Sequence, residues 1–114
     1  MPGTEAAAQD HLAKEFKKWM AGQENEVATM KSETRDLLPP ISYSIRSIVS
    51  DKPHQLAFDT TKKLPADWGT WPAYRFNVAI EWKSDAETPV EKITTYTLTW
   101  NSHEQRWYVH ERFL

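Results

Sequence analysis

An α+β domain, one long helix packed across a curved antiparallel sheet of four to five strands, is the fold class that these 114 residues predict. Two observations carry the prediction. Apolar residues recur with a helical period up to Gly22, and after Pro40 the period changes to 2 and stays there through several separate runs. A third observation sets the scale: 114 residues and 13.3 kDa make one domain, spanning 1–114. That is room for one core and too little for a dinucleotide-binding enzyme with a substrate domain or for a TIM barrel.

Thr4 to Ala21 is predicted as the helix, because Ala8, Leu12, Phe16 and Trp19 or Met20 fall on one face while Lys14, Lys17 and Lys18 fall elsewhere. Thr4 is placed to cap its start and Gly22 to close its end in a left-handed conformation. Gln23 to Leu38 is read as a short second helix carrying Val27 and Met30, with an edge strand over Val27 to Lys31 as the alternative. Pro39-Pro40 ends whatever precedes it, since the proline ring removes a donor and forces the residue before it to extend.

The strands follow. Ile41, Tyr43, Ile45, Ser47 and Val49 alternate with Ser42, Ser44, Arg46 and Ile48. Asp51-Lys52-Pro53 then turns the chain, and His54 to Phe58 is predicted to return as the hairpin partner. Thr60 to Thr70 is a loop holding Pro65 and Gly69. Tyr74 to Lys83 alternates over its whole length, and Glu91 to Asn101 and Gln105 to Phe113 do the same. Ser84 to Pro89 and Asn101 to Arg106 connect them. A hairpin centred on His103-Glu104 sets Trp100 opposite Trp107, Leu98 opposite Val109, Tyr96 opposite Glu111 and Thr94 opposite Phe113, all on one face.

Composition excludes whole classes of chemistry. With no cysteine there is no disulfide, thiolate zinc site, cysteine nucleophile or iron–sulfur cluster. Fourteen basic against sixteen acidic residues leave no excess to neutralise phosphates or anionic lipids, so neither nucleic acid nor a membrane is an expected partner. His11, His54, His103 and His110 are scattered, which argues against a metal site, and Gly3, Gly22 and Gly69 are too far apart for a phosphate-cradling loop. No cofactor is expected. Met1 to Ala8 lacks the charged start and apolar stretch of a secretory signal, and the expected location is the cytoplasm.

The leading helix with its Phe16-Lys17-Lys18-Trp19-Met20-Ala21-Gly22 end, followed by an antiparallel meander, resembles the cystatin-like superfamily, nuclear transport factor two-like domains included. The likeness is topological and spans nearly the whole chain. The glutamine-x-valine-x-glycine hairpin with which cystatins bind papain-like proteases is missing, so that activity is not implied. Trp71-Pro72-Ala73-Tyr74-Arg75-Phe76-Asn77-Val78 together with Trp107-Tyr108-Val109 is also similar to an uncharacterised bacterial family. The superfamily includes a steroid isomerase, dehydratases, epoxide hydrolases and pure binding or dimerisation modules. What the resemblance implies is therefore a pocket and a homodimer rather than a particular reaction.

The candidate site residues come from two constellations. Of the six tryptophans, Trp19, Trp82, Trp100 and Trp107 suit a core built of large rings, whereas Trp68 and Trp71 sit in the Pro/Gly stretch from Pro65 to Pro72, as a lid over the core edge or a platform for a ligand. Trp68, Trp71, Trp82, Trp100 and Trp107 make up the expected ligand-binding set, receiving an apolar small molecule or another protein chain. The alternative is a small proton-transfer enzyme, an isomerase or dehydratase, with Glu111 as base and Tyr96 opposite it as donor. No second titratable group beyond the tyrosines shares that face, which favours binding over catalysis. Arg75, Asn77, Glu81, Tyr108, His110 and Arg112 lie on the opposite face, expected to be solvated, with a polar groove or a dimer contact as the functional alternative.

Overall fold

A computed structural model describes residues 3–27, 40–82 and 90–112. Among them the chain forms α1 (Glu5–Met20), β1 (Ser42–Ser50), a 3-10 turn at Trp68–Thr70, β2 (Ala73–Trp82), β3 (Val90–Asn101) and β4 (Arg106–Arg112). The strands make one antiparallel meander in the order β1-β2-β3-β4. This is the α+β arrangement expected, with four strands among the described residues.

Both ends of α1 are made as the sequence prescribes. The Thr4 hydroxyl accepts from the Ala7 N–H at 3.2 Å, satisfying one orphan donor of the first turn. At the other end Gly22 takes φ +74, and the N–H groups of Gly22 and Gln23 reach back to the carbonyls of Trp19 and Lys18. Ala8, Leu12, Phe16 and Trp19 are buried along one stripe, joined by Glu15. That carboxylate takes Lys18 Nζ at 2.9 Å and the Glu26 N–H at 3.0 Å, so a buried charge is paired and tethers the chain leaving the helix.

The stripe lies on the face carrying Phe76, Val78, Ile80, Trp82, Tyr96, Leu98, Trp100 and Trp107. Phe16 stacks on Tyr43 at 4.3 Å and meets Tyr96 edge-on, while Trp19 meets Trp82 edge-on at 5.9 Å. Gly3 touches Trp100 at the opposite end. The helix therefore runs along β2 in the same sense, about 24 Å of helix on about 30 Å of strand. The β3–β4 register is the expected one, with Tyr96 facing Glu111, Leu98 facing Val109 and Trp100 facing Trp107. Phe113 lies outside the described residues, as do Met30, most of the proposed second helix and the Ser84 to Pro89 turn. Gln23 to Val27, the described part of that proposed helix, is not helical.

Two expectations are corrected. His54 to Phe58 is not a strand, and β1 pairs with β2 instead. Side chains of the sheet capture the backbone that a hairpin would have used: the His54 N–H donates to Thr99 Oγ1 at 3.1 Å, and Asn101 Nδ2 donates to the Ala57 carbonyl at 2.9 Å. Strict alternation in β1 also fails. The register slips between Ile45 and Ser47, a β-bulge at Arg46, and the phase reverses beyond it. Ile48 thereby joins Tyr43 and Ile45 against the core, and Val49 is left exposed.

The second sheet face is not simply solvated. Thr97, Thr99 and Asn101 are fully buried beneath the segment that follows β1, which is held by these bonds and by Asp51, whose carboxylate accepts from Thr97 Oγ1 at 2.8 Å. No helix among the described residues is long and apolar enough to cross a membrane.

Candidate functional site

The sequence-derived site residues separate into three places. Trp82 and Trp107 are core, 2% and 6% exposed, whereas Trp71, though buried at 3%, lies outside that core cluster with its ring near His103. Trp68 begins the 3-10 turn and is half-buried. Trp100 differs from these, because one side of its indole lines a pocket of about 420 Å³ shared with Gly3, Thr4, Glu5, Pro72, Tyr74 and Ser102.

The pocket exists because of where two elements stop. β2 begins at Ala73 and β3 ends at Asn101, so Pro72, Tyr74 and Trp100 finish the core-facing side of the sheet. Pro72 accepts from the Trp100 N–H at 2.8 Å, holding the two walls together. The helix starts directly above them, at Thr4 and Glu5. Gly3 passes so close that a Cβ there would lie 3.1 Å from Trp100 Cδ1 and 3.2 Å from Pro72 Cγ. Tyr74 packs on Trp107 at 6.3 Å, and Trp100 packs on Trp107 at 5.3 Å, so both wall rings rest on a buried third ring and keep fixed orientations. Of the wall residues only Trp100 had been singled out. Tyr74 and Pro72 stand in the run from Trp71 to Val78 that carried the family resemblance, a signal that marked the segment without assigning these residues a role.

Tyr96 and Glu111 are brought together as expected, directly across β3 and β4. The phenol, 1% exposed, donates to the Val27 carbonyl at 2.6 Å. Burial, reinforced by the Glu111 charge, pushes its pKa far above that of an ordinary tyrosine. The proton that a catalytic donor would need is thus committed to the chain leaving α1.

On the other face, Asp67 and His103 share an exposed hydrogen bond at 2.8 Å, and Tyr108 donates to Glu104 at 2.5 Å while its ring carries the Arg106 guanidinium at 4.4 Å. Burial, then the Glu104 hydrogen bond, pushes the Tyr108 hydroxyl up to about 12. These contacts lock the β3–β4 turn. Among the described residues no group of three or more histidines and carboxylates is placed to hold a metal. Compared with family models, with curated proteins and with solved structures, the chain gives no match.

Proposed function

We propose that this domain is a non-catalytic binding module that takes a small apolar, ring-bearing molecule between the start of α1 and the end of the sheet. The observation that carries the reading is the pocket of about 420 Å³ walled by Trp100, Tyr74 and Pro72, a volume within the range of small-molecule sites. Its aromatic walls are braced by Trp107, so stacking a flat ligand costs little side-chain ordering. The resemblance to nuclear transport factor two-like domains points the same way, to a pocket between a helix and a curved sheet. Proton transfer by Glu111 and Tyr96 is not advanced, because the Tyr96 hydroxyl is buried and already donates to Val27.

A thermal-shift screen of indoles, steroids, fatty acids and oligosaccharides tests the reading. A ligand at about 100 times its dissociation constant adds about 2.7 kcal/mol, several degrees for a domain of this size. The expected result is a shift from one flat apolar class, abolished in Trp100→Leu. A flat screen, or a shift unchanged in Trp100→Leu, overturns it. Light scattering that shows a dimer in which Trp100 is shielded from a soluble quencher would instead assign the pocket to a second copy of the chain.

A further inference from the structure

We infer that the polar face of the sheet holds a second site, distinct from the aromatic pocket, that binds the carboxylate of a small organic acid between Arg75 and Arg112. A pocket of about 280 Å³ opens there, lined by Val49, Arg75, Asn77, Thr95 and Arg112. The register builds it from all four strands: Val49 faces Arg75, Asn77 faces Thr95, and Thr95 faces Arg112.

The electrostatics are unbalanced. Arg112 Nη1 reaches Asp51 at 3.1 Å, and that carboxylate also takes the Thr97 hydroxyl, so Asp51 is fully engaged. Arg75 is half-buried and makes no hydrogen bond or ion pair among the described residues. Among the described residues two guanidiniums therefore line this pocket, and the Asp51 carboxylate is paired with Arg112, so the surplus positive charge is carried by the fork of Arg75. The floor is already organised, since Thr95 donates to Asn77 Oδ1 at 2.7 Å and Asn77 Nδ2 donates to Ser47 at 2.8 Å. A planar oxyanion suits a guanidinium fork, and the exposed Val49 side chain offers an apolar flank for a short tail. The occupant these groups fit is a carboxylate with a few carbons attached.

An NMR titration tests this, with sodium butyrate, inorganic phosphate and sodium chloride added to the protein at matched ionic strength. Saturable shifts of Thr95, Asn77, Arg75 and Arg112 with butyrate are expected, and none with chloride. Arg75→Gln should bind butyrate about tenfold more weakly, the loss expected for one charge-assisted pair, with Arg75→Lys between the two. Trp100→Leu should bind it as the parent does, which separates this site from the aromatic pocket. Shifts that never saturate, equal affinity in a folded Arg75→Gln, or saturation by phosphate without butyrate would each overturn the proposal.

Discussion

The imidazoles of His54 and His110 lie parallel, with 4° between their planes and 3.8 Å between their centres, and this stack fastens the segment after β1 to the polar face of the sheet. Both rings are held neutral. Burial pushes His110 down to about 4, with His54 adding to the effect and Glu26 opposing it. The buried Nδ1 of His110 has no hydrogen-bond partner among the described residues. Burial, followed by the Arg112 charge, also lowers His54.

The sign for stability follows from linkage. Unfolded, both histidines titrate near 6.5, above their folded values, so acid adds protons to the unfolded chain first. Stability is complete above that pH and is lost as pH falls toward about 4. The full shift of His110 is discounted because the ring is part-exposed, which leaves about 1–2 kcal/mol. Urea unfolding at about pH 7.5 and about pH 5 should show part of this loss, and His110→Phe, which keeps a ring for the stack, should show much less. Equal losses in both proteins would remove the histidine pair from the explanation.

Tyr96→Phe isolates one bond. The ring keeps its edge-on contact with Phe16, while the Val27 carbonyl loses its 2.6 Å donor inside the core. A destabilisation of about 1–2 kcal/mol is expected in equilibrium unfolding, the cost of leaving a buried acceptor without its partner. A change below about 0.5 kcal/mol would mean that water replaces the phenol there, and that the chain leaving α1 is held by Glu15 and Glu26 rather than by Tyr96.

Asn101 should matter more than either. Fully buried, it donates to Ala57 and Glu104, and its carbonyl oxygen accepts the His103 and Glu104 N–H groups at 3.0 and 2.9 Å. One side chain therefore shapes the β3–β4 turn and anchors the covering segment. Asn101→Ala is expected to cost about 2–4 kcal/mol, with the amides of His103 and Glu104 exchanging faster and proteolysis beginning in residues 54–62. Loss of stability with unchanged exchange at the turn would assign Asn101 to the covering segment alone.

What was legible in the sequence was what repeats. The helix, its caps, three of the strands and the hairpin that pairs Tyr96 with Glu111 all rest on a sustained period or a local capping rule, and each is found. What escaped depends on contacts between distant parts of the chain. His54 to Phe58 carries apolar residues suited to a strand, but Thr99 and Asn101, more than 40 positions away, take its backbone hydrogen bonds. The aromatic pocket was half visible: Trp100 announced itself by size, whereas Gly3, Pro72 and Tyr74 become neighbours only when the helix start meets the sheet end.

The bulge at Arg46 gives the sharpest test of that distinction. Uninterrupted alternation assigns Val49 to the same face as Tyr43 and Ile45, and makes Ile48 a surface residue. The extra residue reverses this, so Ile48 packs against the core and Val49 is 41% exposed. Ile48→Ser should then destabilise by about 1–2 kcal/mol, for an apolar side chain only partly withdrawn from water, and Val49→Ser by under about 0.5. Deleting Arg46 removes the extra residue and leaves Ser47, Ile48 and Val49 opposite Asn77, Phe76 and Arg75, with Ile48 still on the core face, so the deletion should cost less than Ile48→Ser. If Val49→Ser proves the costlier of the two serine variants, β1 pairs without the bulge in solution, and the single-phase strand is the correct one.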